Sequence, residues 1–124
     1  MVQVSLEEFQ KLVADALDEI PEPFASHLSN VDVIVEDEPT SEDLDHADVE
    51  AHGTLFGLYQ GIPQTERDGN YTWVMPDKIT IFRGPISRAC KTTDDVREEV
   101  AVTVVHEIAH HFGISDERLD ELGW

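Results

Sequence analysis

The sequence predicts one domain in which a long helix near each end of the chain flanks several short β-strands. Segments 6–20 and 93–112 repeat apolar residues at the three- and four-residue spacing of a helix. Between them, segments 31–36 and 78–82 alternate residue character with the two-residue period of a strand. At 124 residues, 40% of them hydrophobic, the chain is large enough to bury a core without disulfides. We therefore expect a single domain over residues 1–124.

The first helix is predicted together with both of its ends. Its apolar residues run along one helical face from residue 6 to residue 20. Ser5 and Glu8 form a capping-box pattern, in which side-chain oxygens satisfy N–H groups of the first turn. Pro21 and Pro23 then stop the helix, because proline lacks a backbone N–H and disfavours a helical residue before it.

Three short segments are predicted to be strands. Residues 31–36 place valine at every second position, and β-branched residues with that period favour a strand. Residues 54–60 are apolar and aromatic, and Gly57 within them indicates a bulge or a close approach of another backbone. Residues 78–82 alternate between two proline-containing boundaries and are predicted to be the third strand.

The last predicted helix runs from Thr93 to Phe112. Threonines and aspartates at 92–95 offer N-terminal caps and place negative charge at the positive end of the helix dipole. Gly113 can adopt the left-handed conformation that ends helices. A helical wheel assigns Val104, Val105, Ile108, His111 and Phe112 to a core face, and Glu99, Val102, Thr103, His106 and His110 to the opposite face.

Charge narrows the classes of partner. With 27 Asp and Glu against 8 Lys and Arg, the net charge of −19 repels phosphate backbones and anionic membranes, so we expect neither as a partner.

The acidic segment 36–50 and segment 61–70 are predicted to be loops. The chain begins without a basic region followed by an apolar stretch, and its only cysteine, Cys90, cannot form an internal disulfide. Both features favour a cytoplasmic protein. We expect a monomer by default.

The segment from residue 106 to residue 116 carries the candidate chemistry. His106 and His110 lie four residues apart on the predicted helix, about 6 Å along its axis, so both rings can reach one tetrahedral ion. The His-Glu-x-x-His pattern is typical of zinc metallopeptidases, in which the glutamate, here Glu107, takes a proton from water. A turn at Gly113 brings Asp116 to the place of the third ligand in longer forms of the motif. We predict one zinc ion per chain, held by His106, His110 and Asp116, with Glu107 as general base.

Nearby side chains leave the third ligand open. The acidic alternatives to Asp116 are Glu117, Asp120 and Glu121. The other histidines are predicted to be structural or solvated, His111 because it falls on the core face, and His27, His46 and His52 because they lack a partner at ligand spacing.

Several stretches of the sequence together resemble one known family. They are residues 103–114 around the histidines, Asp116, the closing Glu121-Leu122-Gly123-Trp124, and residues 55–63 and 77–82. These stretches resemble the minimal bacterial zincin-like metallopeptidases. The resemblance implies a compact α+β zincin-like core, with a small mixed sheet whose edge strand lies over the C-terminal helix, and a zinc-dependent peptidase activity. It leads us to expect that Lys78–Phe82 is this edge strand and that it binds a peptide or protein substrate in extended form.

Two classes of function are consistent with the motif. A zinc peptidase keeps an open coordination position, and the sequence offers no fourth His or Cys at ligand spacing to close it. The alternative is a non-catalytic zinc-binding module with a regulatory or protein-interaction role. A peptidase also needs a donor for the oxyanion. By residue type the candidates are Tyr59, Tyr71, Arg83 and Arg118, although a surface or packing role is the simpler expectation for each.

Overall fold

The computed structural model describes residues 2–22, 24–46, 55–61 and 77–124. In chain order its elements are α1 (Leu6–Asp18), α2 (Phe24–His27), a 3₁₀ turn (Leu28–Asn30), β1 (Val31–Glu36), α3 (Ser41–His46), β2 (Gly57–Gln60), β3 (Asp77–Phe82), α4 (Arg83–Ala89), α5 (Thr93–His111) and α6 (Asp116–Glu121). This is the mixed α+β architecture that the sequence predicts. None of the helices in these ranges has the length and apolar character needed to cross a bilayer.

The three strands form a mixed sheet in the order β1-β3-β2. β1 pairs with β3 in parallel, and β2 pairs with β3 antiparallel with Gly57 opposite Ile81. The prediction that Lys78–Phe82 is an edge strand is therefore wrong, because β3 is paired on both sides. Sequence alternation does not distinguish a central strand from an edge strand. The strand that lies against α5 at the sheet edge is β2.

The core lies between the sheet and the two long helices. α1 packs along α5, with Phe9 and Val13 of α1 in one buried cluster with Val104 and Ile108 of α5. The predicted start of α1 is confirmed, since the Ser5 hydroxyl accepts the Glu8 N–H at 3.1 Å. α5 packs against α1 and β2. This packing holds the helix backbone that carries the polar side chains of the site.

The ends of α5 follow the sequence closely, but its last residues do not follow the helical wheel. The Thr92 hydroxyl caps the first turn by accepting the Asp95 N–H at 3.1 Å, and Gly113 takes the expected positive φ of 78°. Phe112, predicted to face the core, is 49% exposed and stacks on the His27 ring with centroids 4.3 Å apart. The helix stops at His111, so Phe112 no longer continues the helical face of Ile108.

Segment 36–50 was expected to be a loop, and the structure corrects this. Residues 41–46 form α3, and Thr40 and Asp43 satisfy each other's backbone N–H groups at 2.9 and 3.0 Å. This reciprocal cap starts a short helix within an acidic segment that has no apolar period. The remainder of that segment from residue 47, and the predicted loop 61–70 beyond Gly61, lie outside the described residues.

Candidate metal centre

Two histidine rings lie next to each other on α5. His106 is half-buried and His110 is exposed, with ring centroids 6.0 Å apart and ring planes at 85°. They share one side of the helix because four residues advance the chain by slightly more than one turn. Two of the three predicted ligands are thus brought together.

Asp116, the predicted third ligand, is the first residue of α6. The chain leaves α5 through Gly113, and the Ser115 hydroxyl then caps α6 by accepting the Arg118 N–H at 3.1 Å. The side chain of Asp116 lies outside the described part of the structure, so its role stays a prediction. Within the described residues, no three His, Cys, Asp or Glu side chains converge as a ligand group. Two imidazoles with a carboxylate nevertheless form a donor set of the kind that zinc takes.

The acidic alternatives to Asp116 are also located. The Glu121 carboxylate pairs with the Arg118 guanidinium at 2.8 Å, so it is already engaged. Glu117 and Asp120 are exposed on α6. Neither their sequence positions nor their exposure selects one of them over Asp116.

The C-terminal segment contacts the first histidine directly. His106 Nε2 lies 2.9 Å from the Trp124 backbone carbonyl oxygen. Trp124 reaches this place because Gly123 has φ 89° and the Trp124 N–H donates to the Leu119 carbonyl at 2.8 Å. While the bond is made, Nε2 carries a proton, because a carbonyl oxygen can only accept. Ligating imidazoles commonly donate their second N–H to a carbonyl in this way.

Glu107 is held by the backbone of β2. Its Oε1 accepts the Tyr59 N–H at 2.8 Å, and the carboxylate is partly buried between the helix and the strand. Burial raises the pKa of Glu107 above its ordinary value, while the Tyr59 N–H and the two neighbouring histidines oppose that shift. Its other oxygen makes no hydrogen bond to any residue that the structure describes. One carboxylate oxygen is therefore anchored and the other is available to react.

A cluster that the sequence did not reveal surrounds Tyr59. The Tyr59 ring stacks on His111 with centroids 4.0 Å apart, and its hydroxyl donates to Asp77 Oδ2 at 2.5 Å. His111 Nε2 lies 3.9 Å from the same Asp77 oxygen. Burial, and then the bond to Asp77, raise the pKa of Tyr59 well above its ordinary value, so the phenol stays a neutral donor. The prediction that His111 faces the core is wrong, because the ring is exposed and packs against β2.

This cluster fixes the strand that holds Glu107. Tyr59 bonds to Glu107 through its backbone and stacks on His111, one helical turn further along α5. No sequence signal identified the Tyr59 N–H, since a backbone group has no residue signature. The glycine of β2 was the available hint, and it does mark a close approach: a Cβ on Gly57 would lie 2.7 Å from Thr103 Cγ2.

A groove of about 240 Å³ leads to the histidines between β2 and α5. Its lining includes Leu55 and Phe56 just before β2, and Glu99, Val102, His106 and Glu107 on α5. A larger cavity of about 550 Å³ lies elsewhere, between residues 2–5 and α4. We consider the smaller groove the candidate site because it contains the histidine and the carboxylate.

Two of the other oxyanion candidates, Arg83 and Arg118, do not lie at this groove. The Arg83 guanidinium donates to Asp37 Oδ1 and lines the larger cavity. Arg118 is paired with Glu121 on α6. Tyr71 lies outside the described residues. Of the three candidates that the structure describes, only Tyr59 is at the site, where its hydroxyl is already donated to Asp77.

The chain is similar to a known protein family and to a solved structure. The sequence model of the zincin-like metallopeptidase family matches residues 28–124. No protein of curated function matches the chain. Among solved structures, a conserved hypothetical protein from Thermo thermophilus shares 24% identity with a TM-score of 0.53, over 88% of this chain and 94% of that one. That structural likeness supports the fold.

Proposed function

The chain belongs to the zincin-like metallopeptidase family, and we propose that it is a zinc-dependent peptidase with Glu107 as its general base. The observation that carries the proposal is the bond from the Tyr59 N–H to Glu107 Oε1. It holds a reactive carboxylate next to the two helix-borne imidazoles, at the end of an open groove. A carboxylate needs such a fixed position to act as a general base.

His106, His110 and Asp116 would hold the metal in this proposal. The helix sets the spacing of the two imidazoles, and the Trp124 carbonyl restrains the His106 ring. When bound, zinc supplies Lewis acidity, which lowers the pKa of a coordinated water and polarises a carbonyl. A site with three protein ligands leaves room for that water and for substrate.

Glu107 would move the proton. With Oε1 anchored by Tyr59, its second oxygen takes a proton from the attacking water and later passes it to the leaving amine. The anchoring bond keeps the carboxylate from swinging away during these two transfers.

We propose that substrate lies in extended form along β2. The Phe82 N–H donates to the Phe56 carbonyl at 2.9 Å, so Phe56 directs its backbone carbonyl toward β3. Backbone groups alternate in direction along an antiparallel pair, so Gly57 and Tyr59 direct theirs away from β3. The Tyr59 N–H is used by Glu107 and Gly57 is buried, so the pairing that we propose for a peptide uses the Tyr59 carbonyl.

The test compares zinc content and peptide cleavage in three proteins. The wild type, loaded with zinc, is incubated with a mixed peptide library, with and without a chelator. Glu107→Gln keeps the shape and an oxygen that accepts the Tyr59 N–H but removes the base. We expect it to retain zinc and to cleave at least about a hundredfold more slowly. Glu98→Gln, an equal charge change on the exposed side of α5, should cleave as the wild type does.

The outcomes separate the two classes of function. Wild-type protein that binds zinc and cleaves nothing would be a binding module. Equal cleavage by wild type and Glu107→Gln would show that the mechanism is wrong even if the zinc site is right.

A further inference from the structure

Glu99 lies in the groove two helical turns before His106. It lines the groove together with Phe56 and Val102, about 10.5 Å along the helix axis from His106. Glu99 is half-buried and makes no hydrogen bond or ion pair with any residue that the structure describes. Burial raises the pKa of its carboxyl group, while the charge of His106 opposes that shift. The carboxylate can therefore gain from a cation that enters the groove.

Two other glutamates that the structure describes, Glu38 and Glu98, do not share that situation. Glu38 is exposed and forms a bidentate pair with Arg88 at 2.8 Å for each bond. Glu98, next to Glu99 in sequence, is exposed and does not line the groove. Glu99 thus combines partial burial, the lack of an ion-pair partner among the described residues, and a position in the groove that leads to His106.

The walls of the groove are apolar near Glu99. Leu55, Phe56 and Val102 are each partly exposed along it. Lysine and arginine side chains pack their aliphatic stems on apolar surface while the charged end meets a polar partner. The part of the groove around Glu99, with its apolar walls and this carboxylate, suits such a side chain better than it suits a purely apolar or an acidic one.

We propose that this groove is a subsite for a lysine or arginine side chain of the extended peptide, and that Glu99 determines this specificity. The inference rests on the proposed function only in placing a peptide along β2. A peptide advances about 3.3 Å per residue, so the cationic residue lies about three positions from the bond beside His106.

The direction of the peptide sets the side on which this residue lies. β2 and α5 run in the same sense here, since Gly57 lies against Thr103 and Tyr59 against Glu107. Antiparallel pairing is the more stable arrangement for an added strand. A peptide bound antiparallel to β2 therefore turns its C-terminal side toward Glu99.

The test measures peptide binding rather than cleavage. Zinc-loaded Glu107→Gln protein keeps the peptides intact and serves as the parent. Fluorescein-labelled ten-residue peptides of Ser, Thr and Val carry one lysine, moved one position at a time, and matched peptides carry norleucine at the same place. Affinities are measured by fluorescence anisotropy in the parent, in parent plus Glu99→Gln, and in parent plus Glu98→Gln. Circular dichroism checks the fold of each variant.

We expect lysine at its best position to tighten binding about tenfold over norleucine, in the parent and with Glu98→Gln. Glu99→Gln should bring that ratio to about one and leave the affinity for the norleucine peptide unchanged. An equal loss with Glu98→Gln would assign the preference to the general charge of the protein and overturn the subsite. A ratio unaffected by Glu99→Gln, or no binding of any peptide, would overturn it too.

The result is separable from the proposed activity. A lysine preference that depends on Glu99, in a protein whose wild type cleaves no peptide, would support the subsite and refute the peptidase. Cleavage by the wild type without such a preference would do the reverse.

Discussion

Two glutamates on α5 differ in what their surroundings provide. Glu107 accepts a backbone N–H from Tyr59, whereas Glu99 faces the groove without a hydrogen bond from the described residues. Both carboxyl groups are partly buried, and burial raises the pKa of each. At the scale of single residues, the same type of side chain therefore has two different surroundings, which differ by one hydrogen bond.

Glu99 should make the stability of the metal-free protein depend on pH. Because burial raises its pKa, the folded protein holds this proton more tightly than the unfolded chain does. The resulting stabilisation is complete below the ordinary Glu pKa of about 4.3 and is lost as the pH rises through the higher folded-state value. Glu99→Gln removes this titration, so its free energy of unfolding should improve relative to wild type as the pH rises above about 4.

The measurement is urea unfolding at a series of pH values with a chelator present. Glu98→Gln is the matched control, because it lies beside Glu99 and is exposed. A difference between wild type and Glu99→Gln that does not change with pH would contradict the assigned environment of Glu99.

Asp116 is the proposed ligand whose assignment rests on the sequence alone. Loss of an outer-shell partner of a metal ligand weakens metal affinity by roughly 10- to 100-fold. Asp116→Ala should weaken zinc binding by more than that. Glu117→Ala and Asp120→Ala, on the same helix α6, should keep wild-type affinity. Competition with a chromophoric chelator measures all three. Wild-type affinity in Asp116→Ala, with a loss in either of the others, would identify a different third ligand.

At the scale of elements, the packing of β2 on α5 assembles the candidate site. The strand contributes a backbone N–H to Glu107 and an aromatic ring to His111. Leu55 and Phe56, which directly precede the strand, line the groove. Strand and helix approach each other closely at Gly57 and Thr103, and we expect this contact to set their distance. A change in that spacing should reach the site without altering Glu107 or the two histidines.

Gly57→Ala tests this spacing. The added Cβ would lie 2.7 Å from Thr103 Cγ2 and 3.2 Å from the Thr80 carbonyl oxygen, so the strand must move away from the helix. We expect a loss of about 1–3 kcal/mol in the free energy of unfolding, the range for overpacking. The measurement is urea unfolding at neutral pH.

Thr103→Ser is the matched partner for that variant. It removes the Cγ2 methyl group that the added Cβ at position 57 would meet, and it keeps the hydroxyl. The double variant should regain part of the lost stability, more than the two single changes predict by addition. Strict additivity would show that the contact between Gly57 and Thr103 does not set the spacing.

At the scale of the whole molecule, charge is strongly unbalanced. The net charge is −19, and the described arginines that form ion pairs are Arg83, Arg88, Arg97 and Arg118. These pairs are mostly exposed and contribute little individually. The remaining acidic residues repel one another, and this repulsion opposes the compact state.

Salt should therefore stabilise the protein. Raising NaCl from about 0.01 M to about 1 M shortens the Debye length from about 30 Å to about 3 Å and screens the repulsion. We expect Tm of the metal-free protein to rise by several degrees, since about 1 kcal/mol shifts Tm of a domain of this size by about 4 °C. Scanning calorimetry measures the shift. A Tm that falls with salt would show that attractive pairs dominate over the net charge.

Local pattern determined the elements whose stability is local. Ser5 and Thr92 start their helices as the sequence predicts, and Gly113 follows α5 with the positive φ that ends it. The histidine spacing on α5 follows in the same way, because a helix converts sequence separation directly into position. These features depend on residues within a few positions of one another.

Only the tertiary structure decided which strand is central and which groups meet at the site. The alternation in β3 is the same for an inner and an outer strand, and pairing on both sides depends on chain segments far away in sequence. The Tyr59 N–H and the Trp124 carbonyl reach Glu107 and His106 across 48 and 18 positions through backbone atoms that every residue possesses. No residue pattern can encode such contacts, because they arise only when packing brings distant backbones together.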